Sequence, residues 1–257
     1  MGSHRFREAA RGFALLELWI ALTVAAIVLA GLALPLAAQV QLRRAEALDR
    51  QLQEARDAVM GFAAAQGRLP CPATEESNGL EAFAPGADAS TGTCADFHGG
   101  YLPAATLGLA GVDGEGFARD PWATRANRLR YAVFGGAVNG IASPLTRTDG
   151  MRAATLAALG DAPHYLFICS SGAEASGSGC GPASRQLTRR AAFVILSLGM
   201  DAATSSARGD EARNLDGDPV FVSREASLDA DAPFDDVLLW VPIHLVAHRL
   251  IAAGRLP

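Results

Sequence analysis

Carboxylates dominate the residues that could do chemistry. Asp201, Asp210, Glu211, Asn214, Asp216 and Asp218 share one stretch, and Asp235 and Asp236 follow it. A hard divalent cation such as Ca²⁺ takes six to eight oxygen ligands, and loops dense in Asp and Asn supply them. Asp201, Asp210, Asn214, Asp216, Asp218, Asp235 and Asp236 are therefore the candidate calcium ligands. The alternative is a solvated acidic turn with no required cofactor. The spacing Asn214-x-Asp216-x-Asp218, with Glu225 further on, imitates an EF-hand loop. Pro219 stands where that loop needs glycine, and residues 220–223 (VFVS) read as a strand, so an EF-hand is excluded.

Other constellations fall short. His244 and His248 share a helix face at i, i+4. Zinc peptidases use that spacing with a glutamate between, whereas Leu-Val-Ala intervenes here, and the pair reads as a surface feature. No G-x-S-x-G elbow is present, and Ser178 lies in a Gly-rich loop. A phosphate-binding G-x-x-x-x-G-K-[ST] loop is impossible, because the chain has no lysine. The expectation is a protein that is not an enzyme.

One further acid stands apart. Residues 11–38 (RGFALLELWIALTVAAIVLAGLALPLAA) carry a single carboxylate, Glu17, in an otherwise apolar run. The run is long enough to suggest a bilayer span, since ~20 apolar residues rising 1.5 Å each cover the ~30 Å hydrocarbon core. A carboxylate at that depth costs on the order of 2.5–3.5 kcal/mol. The sequence around it, Gly12-Phe13-Ala14-Leu15-Leu16-Glu17-Leu18, resembles the processing site of the type IV pilin and pseudopilin family. Ala14 departs from the Ser or Thr usual there. The resemblance implies cleavage between Gly12 and Phe13, N-methylation of Phe13, and an assembly role for Glu17. Physically, Glu17 lies one helical turn from Phe13. In a bundle it could pair with a neighbour's terminal ammonium, and buried ionic groups are best attested as devices that set register.

Composition narrows the rest. The formal charge is -5, and removing residues 1–12, with three arginines and one glutamate, takes it to -7. That acidity argues against a nucleic-acid partner, which wants a basic face. Arginines flank the apolar run on both sides, so the processing motif and not charge bias orients it. The four cysteines, Cys71, Cys94, Cys169 and Cys180, allow three disulfide connectivities, and the sequence does not choose among them. Pairing of near neighbours, Cys71 with Cys94 and Cys169 with Cys180, is the expectation.

The elements that must position these residues follow from periodicity. Residues 40–65 lack proline and place Leu48, Leu52, Ala55, Val59 and Phe62 on one stripe. A helix from Phe13 to about Ala65 is predicted, ended by Gly67 with Pro70 and Pro72 beyond. Residues 66–100 read as a loop region. Asp120-Pro121-Trp122 followed by Leu129-Arg130-Tyr131 resembles the Asp-Pro-Trp…Tyr motif of the major type II pseudopilin, with Ala123 in place of the family's glycine. Strands are predicted over 129–134, 164–169, 191–199 and 236–241, and an amphipathic helix over 243–254.

The expectation is an α+β protein: a long N-terminal helix, membrane-spanning in its first half, packed on an antiparallel β-sheet head. Its divisions would be a leader (1–12), a transmembrane half-helix (13–39), a periplasmic half-helix (40–65) and a globular head (66–257). The resemblance implies a minor pilin or pseudopilin, a structural subunit of a type IV pilus or type II secretion filament. Its partners would be other pilin or pseudopilin subunits, the prepilin peptidase/methyltransferase, the inner-membrane assembly platform and the membrane. Its location would be the bacterial inner membrane, with the head in the periplasm. The alternatives are a membrane-anchored periplasmic binding protein or enzyme, and a tip adhesin.

Overall fold

The computed structural model describes residues 15–203, 209–227, 229 and 233–257, without the side chains of 29–38. Gly12, Phe13 and the rest of the leader lie outside the described residues. The chain divides into two compact units, Met1–Glu46 and Ala47–Pro257. Helix α1 (Leu15–Gln66) contributes to both.

In the first unit, residues 15–28 of α1 carry exposed Leu15, Leu16, Leu18, Trp19, Ile20, Leu22, Val24, Ile27 and Val28. Among the described residues no helix is long and apolar enough to cross a membrane. The predicted transmembrane half-helix is therefore corrected. The single-pass inner-membrane location depended on that span and loses its support with it.

The second unit is built on the other end of α1. Leu48, Leu52, Ala55, Val59 and Ala63 are buried in the main core. The predicted stripe holds except at its end, where Ala63 and not Phe62 faces inward. Phe62 is half-buried, with the Arg68 guanidinium 5.1 Å from its ring. Gly67 ends the helix at φ +73°, its N–H donating to the Ala63 carbonyl, as a left-handed C-terminal cap requires.

Short elements follow: α2 (Ala104–Leu107), strand β1 (Arg130–Val133), the hairpin of β2 (Ala137–Val138) and β3 (Ile141–Ala142), then α3 (Gly150–Ala154) and α4 (Leu156–Asp161). The long strand β5 (Gln186–Ser197) organises the sheet. It pairs antiparallel with β1, with β4 (Leu166–Cys169) and with β7 (Val237–Pro242). Its half from Phe193 to Leu196 pairs with both β1 and β7 and is buried. That position suits the apolar run AAFVIL.

The sheet is curled and mixed, which corrects the antiparallel expectation. Strand β6 (Val220–Val222) pairs parallel with β4, Phe167 opposite Val220. The reason lies in the connection. β5 carries the chain back antiparallel to β4, α5 (Gly209–Arg213) intervenes, and β6 then enters in the direction of β4. Helix α6 (Ile243–Ala252) closes the unit, burying Ile243, Val246, Ala247 and Leu250.

The segment before β1 is held by buried polar groups. Asp120 accepts hydrogen bonds from the Ser197 hydroxyl (2.6 Å), the Asn127 amide (3.1 Å) and the Trp122 N–H (3.0 Å). Trp122 itself is half-buried. Arg128, almost fully buried, pairs with Asp113 and Glu115 and lies 4.1 Å over the Phe117 ring. The Asp-Pro-Trp turn thus has a structural explanation in full.

Ala123, next in that turn, sits at φ +59°. A Cβ in this left-handed region costs roughly 1–2 kcal/mol, and glycine's extra unfolded-state entropy returns roughly 0.5–1 kcal/mol of it. Ala123→Gly is expected to stabilise the protein by about 0.5–1 kcal/mol. Urea unfolding checks this, since a midpoint that falls would place no strain at Ala123.

Candidate functional site

The acidic stretch divides into two groups with different employment. Asp201, Glu211 and Asp235 converge, with one carboxylate oxygen from each within 4.8 Å of the others. Asp201 follows the end of β5, Glu211 lies on α5, and Asp235 precedes β7. Tertiary packing alone brings them together. The Asp235 N–H donates to the Glu211 carboxylate (3.0 Å), and the Met200 N–H donates to the Asp235 carboxylate (2.6 Å). Gly199, at φ +68°, passes so close to the Asp235 carboxylate that a Cβ there would overlap it.

Asp236 lies beside this cluster and is 5% exposed. Its Oδ2 accepts from the Asn214 amide (2.7 Å), while its Oδ1 has no hydrogen-bond partner among the described residues. Burial pushes its carboxyl up to about 8, and the charges of Glu211, Asp235 and Asp201 add to that, against the Asn214 hydrogen bond. Burial also raises Glu211 and Asp235, and the Asp201 carboxylate raises both further. Carboxyls crowded this way hold protons that carboxylates in water would lose. A cation supplied to them would do the same work electrostatically.

The remaining predicted ligands are occupied elsewhere. Asp210 accepts from the Gly172 N–H (2.7 Å) and pairs with Arg224 (2.8 Å). Asp216 pairs with Arg213 at 2.8 Å. Asp218 accepts from the Val220 N–H (2.8 Å) and faces Arg213 at 3.5 Å. Asn214 is a clamp. Its amide donates to the Val222 carbonyl (3.1 Å) and its Oδ1 accepts from the Val222 N–H (2.7 Å), so it imitates a neighbouring strand for β6. Glu211 is visible in the sequence as part of the acidic run. Its selection over Asp210 is not, because one helical position turns one carboxylate inward and the next toward Arg224.

The disulfides join as expected, Cys71 to Cys94 and Cys169 to Cys180. The second closes the loop that docks on α5, where the Arg213 guanidinium donates to the Ala175 carbonyl (2.9 Å) beside the Asp210–Gly172 contact. In the loop-entropy model each crosslink contributes on the order of 3 kcal/mol. Both fit an oxidising environment. Of the assembly residues, Glu17 is described, and it is exposed on α1. No protein-family model matches this chain, and comparison with curated proteins and with solved structures gives no match either.

Asn214→Ala would leave the Val222 N–H and C=O and the Asp236 carboxyl without partners in a buried place. A loss of roughly 2–4 kcal/mol is expected, since each stranded buried polar group costs on the order of 1–3 kcal/mol. Denaturant unfolding measures it, and a loss within error of zero would mean that β6 does not depend on this clamp.

Proposed function

We propose that this chain is a pilin-like structural subunit, a minor pilin or pseudopilin of a type IV pilus or type II secretion filament. The observation that carries this reading is the N-terminal part of α1. Large apolar side chains are exposed along residues 15–28, with one carboxylate, Glu17, among them. A helix that is apolar all round is a buried helix, so this segment calls for neighbours. Helices of other subunits would cover it, and Glu17 would set axial register by meeting a neighbour's N-terminal ammonium at Phe13. The processing pattern Gly12-Phe13…Glu17 supports the same reading, with the prepilin peptidase/methyltransferase as the processing partner. Two disulfides favour a head that works in an oxidising compartment.

Glu17→Ala separates an assembly contact from a passive acid. Removing one side of a buried ion pair costs ~3–5 kcal/mol, so the variant should fold and be processed but be depleted from sheared filaments. Glu17→Gln, which keeps the size without the charge, should be depleted too. Normal incorporation of both variants would remove Glu17 from the assembly contact, and an intact leader on the mature protein would overturn the pilin reading as a whole.

We further infer that the cluster of Asp201, Glu211 and Asp235 takes a divalent cation, with calcium the best fit. All its side-chain donors are carboxylate oxygens, and a fourth carboxyl, Asp236, is buried beside them. A cation that binds only the folded chain raises its stability by mass action. The full chain should therefore melt higher in millimolar Ca²⁺ than in chelator, and Glu211→Gln should erase the difference. Equal melting of the parent protein in both conditions would leave the cluster an acidic site that takes no cation.

A further inference from the structure

Helix α6 turns its other face outward, and two imidazoles share that face. Ile243, Val246, Ala247 and Leu250 are buried in the core, which fixes the rotation of the helix about its axis. His244 and His248 are exposed, one turn apart. Residues at i and i+4 hold their Cβ atoms roughly 5–6 Å apart on the same face. That is a span two imidazoles can close onto one ion at the ~2.0–2.1 Å nitrogen–metal distance.

Both histidines also line one cavity of about 280 Å³, whose wall includes Leu156, Leu159, Ile243 and Ile251. The cavity beside the two rings leaves room for a metal's remaining ligands. Among the described residues that line the cavity, one is an arginine, Arg190. Its guanidinium is committed to the carbonyls of Ala162 (2.6 Å), Gly160 (2.6 Å) and Leu159 (3.4 Å), where α4 ends. It therefore adds a fixed positive charge and no ligand. That charge disfavours a hard cation held by electrostatics alone. It is tolerated by an ion whose bonds to imidazole nitrogen are strong.

We propose that His244 and His248 form a two-nitrogen site for a borderline divalent transition ion, Cu²⁺ ahead of Ni²⁺ and Zn²⁺, as imidazole donors and the general affinity order dictate. The remaining coordination positions would take water or a donor from another molecule. This site is chemically separate from the acidic cluster: one offers nitrogen, the other only oxygen. It also stands without the filament reading.

The test titrates the full chain with Cu²⁺ in a non-coordinating buffer, with Ca²⁺ present in excess to compete for carboxylates. Affinity is read by calorimetry, and nitrogen ligation by the hyperfine structure of the copper electron paramagnetic resonance spectrum. One equivalent with nitrogen ligation is expected. Replacing either histidine turns a chelate into a single contact, so His244→Ala and His248→Ala should each weaken binding roughly tenfold or more. The double variant should lose the nitrogen-ligated equivalent that this pair supplies, and His98→Ala should behave as the parent. Because both side chains are exposed, melting temperatures without metal should not move. Nitrogen-ligated copper bound equally by the double variant, or binding with no nitrogen signature in the parent, would overturn the proposal.

Discussion

The unit from Ala47 to Pro257 depends on burying one stripe of one helix. Leu48, Leu52, Ala55, Val59 and Ala63 share a core with Tyr131, Val133, Phe193, Ile195, Val246 and Leu250. The stripe mixes large and small side chains, and the alanines allow a close approach that larger residues would block. Once the helix is seated, β5 has an apolar face to meet. The other strands then take their register from β5, which pairs with β1, β4 and β7 along its length.

A core assembled this way leaves polar groups inside, and the protein treats them in two ways. Some are satisfied completely and serve as joints. Asp120 ties the turn before β1 to Ser197 on β5, and Asn214 ties β6 to Asp236. Others keep a deficit. Asp236 is buried with one oxygen lacking a partner among the described residues, next to the convergent carboxylates of Asp201, Glu211 and Asp235. Four acids crowded in one place are a feature that protons or a cation must offset. It is the reason this cluster, and not the ion-paired acids nearby, is the candidate metal centre.

The N-terminal part of α1 presents the opposite problem, apolar surface without cover. Trp19, Ile20, Leu22 and Ile27 are exposed within the single chain. Exposed apolar surface on this scale marks a contact with something else, and helix–helix association between subunits is the contact we propose. The unit from Ala47 to Pro257 has a buried core of its own. Its core is closed and its two disulfides restrain the loops on either side of the sheet's strands.

By itself the sequence determined whatever rests on local period and local reach. The 3.6-residue stripe along α1, the glycine that ends it, the apolar strand runs and the amphipathic α6 were legible because a few neighbouring residues dictate them. The cysteine pairing was not on that list: the sequence allows three connectivities, and the fold joins Cys71 to Cys94 and Cys169 to Cys180. Tertiary structure alone decided the direction of β6, because alternation of side chains is the same in parallel and antiparallel pairs. It also decided the rotation that buries Ala63 and leaves Phe62 beside Arg68, since both positions fit the apolar period. Most of all it chose among the acids. In sequence they are equivalent carboxylates; in the fold, Arg213 and Arg224 neutralise Asp216, Asp218 and Asp210. Glu211 is turned toward Asp201 and Asp235 from distant parts of the chain, and a charge's fate depends on which neighbours packing brings within reach.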